Sequence, residues 1–168
     1  MDITIKELDN DPSQIQSAKD FLYDQIMKVY GIGPTPEFHY DIEGLEEYYI
    51  SPSRNAFFAA YDGDKIVATA AIRAYDRNYE FFRGVYSKED TASIWRLMVD
   101  EEYKRRGIAR RLVTAMEEFA RKKGYLQIYL HTHRYLDAAL IFWKSMGFVI
   151  TLEEEDYDET NHMEKILN

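Results

Sequence analysis

Apolar and polar residues change their period several times along this chain, and each change marks an element. Asp2 to Leu8 alternates, with Ile3 and Ile5 on one side, and predicts a first strand. Asp11-Pro12-Ser13 then offers a helix cap with an early proline. Ile15, Phe21, Leu22, Ile26 and Val29 follow at helical spacing until Gly31 and Gly33, so a helix is predicted over residues 12–30. Pro34 to Pro52 mixes Glu37, Asp41, Glu43, Glu46 and Glu47 with Phe38, Tyr40, Tyr48 and Tyr49, and reads as a loop with a short second helix.

Asn55 to Tyr61 and Lys65 to Tyr75 are runs of Ala, Val, Ile and aromatic residues on either side of Asp62-Gly63-Asp64, a turn sequence that closes antiparallel hairpins. They are the second and third strands. An aromatic, less regular passage through Tyr79, Phe81, Phe82 and Tyr86 leads to a strand over Ala92 to Val99. From Gly107 to Lys123, Ile108, Leu112, Val113, Met116, Phe119 and Ala120 share one helical face, and Gly124 ends the helix before a strand at Leu126 to His131. This strand–helix–strand crossover brings ligands to a strand's carboxyl end. A helix over 135–146, a strand at Phe148 to Leu152 and a closing strand around His162 to Leu167 complete the chain.

Length and composition bound what these elements can build. A chain of 168 residues, 46% hydrophobic and 30% charged, is sized for a single domain, residues 1–168, with a substantial core. No apolar run is long enough to span a membrane and no basic-then-apolar leader opens the sequence, so a cytoplasmic protein is expected. Cysteine is absent, which removes disulfides, thiolate metal sites and cysteine nucleophiles. A net charge of −9 disfavours nucleic acid and acidic membranes as partners. Against that background Lys104, Arg105, Arg106, Arg110 and Arg111 put five positive charges within eight residues.

Those charges sit where a strand ends at Val99 and a helix begins near Gly107. Unpaired amides at a helix N-terminus, aided by the macrodipole, attract anions. Gly107 and Ala109 leave room for backbone to approach a pyrophosphate, and Arg105, Arg106 and Arg110 offer charge-assisted bonds. The alternative reading is a solvated basic helix start, but cations there oppose the dipole, and an anion removes the conflict.

At these residues the chain resembles the GNAT (GCN5-related N-acetyltransferase) superfamily, whose Q/R-x-x-G-x-G/A signature binds the pyrophosphate of CoA. Here the signature reads Lys104-Arg105-Arg106-Gly107-Ile108-Ala109, with Lys at the first position. Ile94 to Val99 is similar to the family's fourth strand, and Ala139 to Phe148 to its helix-to-strand motif ending in Gly-Phe. The resemblance implies an α+β GNAT fold: a mixed, mostly antiparallel sheet of about seven strands with a central splayed parallel pair, flanked by about four helices. It implies transfer of acetyl from acetyl-CoA to a primary amine by direct attack in a ternary complex, without a metal, the amine belonging to a small molecule or a protein. A homodimer is compatible with it.

By position, the resemblance assigns Leu97, Met98 and Val99 to pantetheine, with the Leu97 or Met98 amide stabilising the oxyanion. Lys104, Arg105, Arg106, Gly107, Ile108, Ala109 and Arg110 fall to the pyrophosphate, and Trp143 joins the cofactor contacts. Three positions besides Lys104 depart from the family pattern. Trp143 stands where relatives carry a Tyr acid, Ser93 where they carry a Glu base, and Leu136 where they carry an Asn. The replacement candidates are His131 and His133, which fall on one side of the fifth strand if it continues, with Tyr135 as an alternative acid. The His pair lacks a third partner for a metal. A non-catalytic acyl-CoA sensor is the competing expectation, since the usual acid and base are missing. The acidic-aromatic stretch Glu37 to Tyr49 has the chemistry to hold a cationic amine, or else to be a solvated face with core aromatics.

Overall fold

The computed structural model describes residues 2–168. Seven strands and four α-helices follow one another: β1 (Ile3–Glu7), α1 (Pro12–Tyr30), α2 (Pro36–Glu43), β2 (Ala56–Asp62), β3 (Lys65–Ala74), β4 (Thr91–Val99), α3 (Ile108–Lys122), β5 (Gln127–His133), α4 (Asp137–Ser145), β6 (Val149–Glu153) and β7 (Thr160–Ile166). The strands are hydrogen-bonded in the order β1-β2-β3-β4-β5-β7-β6. The β1–β2, β2–β3, β5–β7 and β7–β6 pairs are antiparallel, and β4–β5 is parallel. This is the mixed α+β sheet that the residue pattern and the resemblance implied.

The chain divides into two compact units. One holds the chain through Arg73 together with Trp95–Met116, and the other holds Ala74–Ile94 with Glu117–Asn168.

In the first unit α1 starts where the Asp11 side chain accepts the Ser13 amide at 3.0 Å, beside a proline whose missing N–H costs nothing there. It ends at Gly31, which takes φ 69° and returns its amide to the Met27 carbonyl at 2.9 Å. Ile15, Ala18, Leu22 and Ile26 form its buried stripe and pack with Ile42, Leu45, Tyr49 and Phe57. β2 and β3 are covered on both faces, so their sequences run apolar without alternation. The stretch before them is more ordered than a loop: α2 bends at His39, and Glu46–Ile50 forms a π-helical turn.

In the second unit the parallel ladder consists of Thr91–Gln127, Ala92–Ile128 and Ser93–Tyr129. β5 then runs antiparallel to β7 along its whole length, from Gln127–Ile166 to His133–Thr160. β6, outermost in the strand order, alternates exposed and half-buried residues, as a strand with one covered face does. A smaller aromatic core of Tyr75, Phe82, Tyr86 and Tyr129 lies here.

Candidate active site

In the first unit β4 is followed by a turn at Glu101–Tyr103, capped by the Asp100 carboxylate on the Glu102 amide at 3.0 Å. Tyr103 is buried and donates to Asp62 at 2.6 Å, which ties this turn to the end of β2. The backbone then takes left-handed conformations at Arg105 (φ 65°) and Gly107 (φ 77°), and α3 begins, with the Arg111 amide bonding the Gly107 carbonyl at 3.1 Å. A Cβ built on Gly107 meets no atom within 4 Å, so the glycine serves the backbone angle and faces open space.

The basic knot separates into two kinds of residue. Lys104 pairs with Glu101 at 2.9 Å, Arg111 donates to the Ile3 carbonyl at 2.9 Å, and the Arg106 guanidinium lies 5.2 Å from the Tyr103 ring centroid. Arg105 and Arg110 are exposed and form no ion pair among the described residues. Ile108 is buried and anchors the helix start, while Ala109 is half-buried. The first-turn amides therefore open toward a space bordered by positive charge.

Leu97, Met98 and Val99 lie half-buried in β4, and Met98 packs on the first unit's core. Just before them Arg96 takes φ 54°, a left-handed residue inside a strand. Its guanidinium grips Asp41 through Nε at 3.0 Å and a terminal nitrogen at 2.7 Å, and also donates to the Phe38 carbonyl at 2.8 Å. Asp41 is fully buried and also accepts the Tyr49 hydroxyl at 2.6 Å. Burial by itself pushes the Asp41 carboxyl up, but the Arg96 hydrogen bonds and charge outweigh it and hold the pKa below the usual carboxylate range. Arg73, 2% exposed, lies 3.7 Å from the Trp95 ring centroid and donates to the Tyr40 hydroxyl at 2.9 Å.

Within the acidic-aromatic stretch, Asp41 and the rings of Tyr40, Tyr48 and Tyr49 hold the chain's own Arg96 and Arg73, while Glu37, Glu43, Glu46 and Glu47 are exposed. Sequence reasoning missed both arginines. The signal was a single Arg inside each of two apolar runs, Ala71-Ile72-Arg73-Ala74 and Ile94-Trp95-Arg96-Leu97, since a buried charge requires a partner somewhere.

In the second unit β5 continues past His131, so His131 and His133 do share a side, with ring centroids 6.0 Å apart. His131 is pushed down to about 3, by burial first and then by the charges of Arg77, His133 and His162. The His133 Nδ1 lies 2.9 Å from the Asp158 carbonyl, which can only accept, so Nδ1 carries the proton and Nε2 the lone pair. Tyr135 stacks on this ring, nearly parallel at 5.2 Å.

A further hydrogen-bonded chain lies beside His131, whose ring centroid is 6.1 Å from that of His162: the Tyr129 hydroxyl lies 2.6 Å from Nδ1 of His162, and Nε2 of His162 lies 3.1 Å from Glu154. The carboxylate fixes the tautomer, with Nε2 protonated and Nδ1 accepting from Tyr129. Burial raises the Tyr129 phenol strongly, and burial lowers His162 against the opposing pull of Glu154. The sequence reading did not select His162 or Glu154, because only the β5–β7 register sets His162 opposite His131.

Ser93 is buried opposite Tyr129 in the parallel ladder. Trp143 is 6% exposed and packs edge-on against Phe148 at 5.2 Å, and Leu136 immediately precedes α4. Among the described residues no group of three or more His, Asp or Glu is placed to hold a metal ion, and no helix is long and apolar enough to cross a membrane.

In curated proteins the chain is 29% identical over 108 residues to N-acetyltransferase 8 of Homo sapiens, covering 64% of this chain and 44% of that protein. It is 28% identical over 110 residues to N-acetylaspartate synthetase of Rattus norvegicus, covering 66% and 33%. The chain thus spans less than half the length of these relatives. Among solved structures, a GNAT-family acetyltransferase from Staphylococcus aureus Mu50 superposes with a TM-score of 0.78 at 18% identity, covering 99% of this chain and 100% of that one. The PaiA N-acetyltransferase of Thermoplasma acidophilum, solved in complex with coenzyme A, does so at 0.73 and 20% identity, covering 99% of each. At these identities the superpositions speak for the fold. The model of the Acetyltransferase (GNAT) family matches residues 19–148, most of the chain, and that extent decides membership: this chain belongs to the acetyltransferase (GNAT) family.

Proposed function

We propose that this chain is an acyl-CoA-dependent N-acyltransferase that moves acetyl from acetyl-CoA to a primary amine by direct attack in a ternary complex. The observation that carries the reading is the turn at the head of α3, where left-handed Arg105 and Gly107 precede a helix start flanked by the exposed Arg105 and Arg110. That geometry suits a pyrophosphate, which the first-turn amides at Ile108, Ala109 and Arg110 would bind with the guanidinium groups of Arg105, Arg106 and Arg110. Lys104, held by Glu101, contributes charge from the rim. In this reading Leu97, Met98 and Val99 present backbone to pantetheine.

In the reaction the amine nitrogen attacks the thioester carbonyl carbon, the C–S bond breaks, and the CoA thiolate leaves and takes up a proton. The attacking nitrogen loses one. A backbone amide at Leu97 or Met98 aimed at the developing oxyanion is worth about 3 to 4 kcal/mol. In this reading the two histidines differ as bases. An imidazole at about 3 stays neutral at working pH but holds a transferred proton poorly, so His131 is the weaker candidate. His133 keeps an Nε2 lone pair for the proton, and we assign it the base role, acting directly or through water.

The test is calorimetric titration with acetyl-CoA joined to thiol release across amines of several classes. Gly107→Glu puts a carboxylate in the cradle and should abolish binding with the fold retained, whereas undiminished affinity moves the cofactor elsewhere. His133→Gln should slow thiol release and spare acetyl-CoA affinity, while His131→Gln leaves the rate close to wild type. Tight binding with no thiol release from any amine would favour the sensor instead.

A further inference from the structure

We propose that Asp41 and Arg96 form a positioning latch, in which a buried carboxylate on α2 holds residue 96 of β4 left-handed and so sets the direction of the Leu97–Val99 backbone. The consequence for catalysis rests on the reading above that this backbone meets acyl-CoA. The latch itself rests on geometry within the first unit.

An L-residue at φ 54° brings its Cβ close to the following carbonyl oxygen, and Arg96 is neither glycine nor asparagine. Such a conformation persists where the surroundings over-determine it. Here they do so from both ends of the residue. The guanidinium is fixed by two bonds to Asp41 and one to the Phe38 carbonyl, and the Arg96 carbonyl accepts the Thr69 hydroxyl at 2.9 Å. A side chain, rather than the sheet alone, thus satisfies that carbonyl. A left-handed residue turns its flanking peptide planes away from the regular ladder, as bulges do where a strand must re-aim its groups.

The carboxylate is itself held in place. Asp41 is wholly buried, Tyr49 donates to it at 2.6 Å, and the preceding residue in β4, Trp95, is stacked by Arg73. Two consecutive residues of the strand are therefore clamped by groups on other elements. Lysine could not replace Arg96, since a bidentate grip needs the planar fork. The latch also joins α2, whose Phe38 and Tyr40 are exposed, to the strand assigned to the cofactor. A shift of α2 would then be felt as a change in β4.

The test uses the full chain with Asp41→Asn, Arg96→Lys and the double variant Asp41→Asn/Arg96→Gly, each first shown folded by circular dichroism at the assay temperature. Hydrogen exchange at the Leu97–Val99 amides, in the absence of ligand, should speed up about tenfold in either single variant relative to Ala59 and Ala60 of β2. Acetyl-CoA affinity should fall about tenfold in the same variants. In the double variant glycine reaches φ 54° without steric cost and no buried carboxylate is stranded, so part of the affinity should return. Unchanged exchange at Leu97–Val99 in both folded single variants overturns the latch whatever the ligand does. Faster exchange with no affinity for acetyl-CoA even in the wild-type chain keeps the latch and overturns the cofactor reading. Wild-type affinity in the variants despite faster exchange removes the latch's part in cofactor binding.

Discussion

Buried Asp41 and Arg73 and half-buried Arg96 are held in the first unit as ions, whereas buried Tyr129 and His162 and half-buried His131 are held in the second as groups that stay neutral. In the first, desolvation is offset by a bidentate pair whose partners hold each other charged, with Asp41 depressed and Arg96 raised. In the second, desolvation is avoided, because burial pushes the imidazoles down and the phenol up until none carries charge at neutral pH. A charged pair fixes geometry firmly and fails badly when one partner is removed. A neutral chain fixes tautomers through its hydrogen bonds without carrying charge.

Breaking the charged side should produce the largest effect. Asp41→Ala leaves the Arg96 guanidinium largely buried without its partner, and stability should fall by about 3 to 5 kcal/mol in urea unfolding. A loss under 1 kcal/mol would mean that the pair is solvated and the contrast between the units is false. Tyr129→Phe strikes the neutral side, depriving His162 of its donor at Nδ1, and should cost about 1 to 3 kcal/mol.

Acid should separate the two regions along the pH axis. His131 and His162 have depressed pKa values, so the unfolded chain binds more protons than the folded one below the ordinary histidine value of about 6.5. Their stabilisation is therefore present above about pH 6.5 and drains away as pH falls toward the folded value of His131, about 3. The depressed Asp41 contributes above the ordinary aspartate value of about 3.9 and is lost only as pH falls through its lower folded value. Urea titrations at stepped pH should show a decline between about 6.5 and 4 that His131→Gln flattens and Asp41→Asn does not. The smallest effect belongs to Lys104→Ala, where the lost ion pair with Glu101 is exposed and stability should stay within about 0.5 kcal/mol of wild type.

The elements were legible in the sequence because their signals are local. The helix expected over 12–30 is found at Pro12–Tyr30, and the other expected strands and helices lie within two residues of those observed. The turn at Gly107 was legible too, since a glycine between a strand end and an amphipathic helix needs no distant residue to explain it. What escaped was long-range. Asp41 and Arg96 lie 55 positions apart, and Tyr129 and His162 lie 33 apart. Nothing in the neighbourhood of any of the four says which partner it takes.

By itself, then, the sequence determined the periodicities, the hairpin turn, the basic turn at the head of α3 and, through three motifs in order, the family. It also placed His131 and His133 on one side of a strand. Only the tertiary structure decided that the acidic-aromatic stretch holds the chain's own arginines, that Arg96 is left-handed, and that burial makes His131 a poor base while a carbonyl orients His133. Local pattern records which face of an element is apolar. Pairing of buried charges, tautomer and pKa depend on neighbours that folding alone brings within hydrogen-bonding distance.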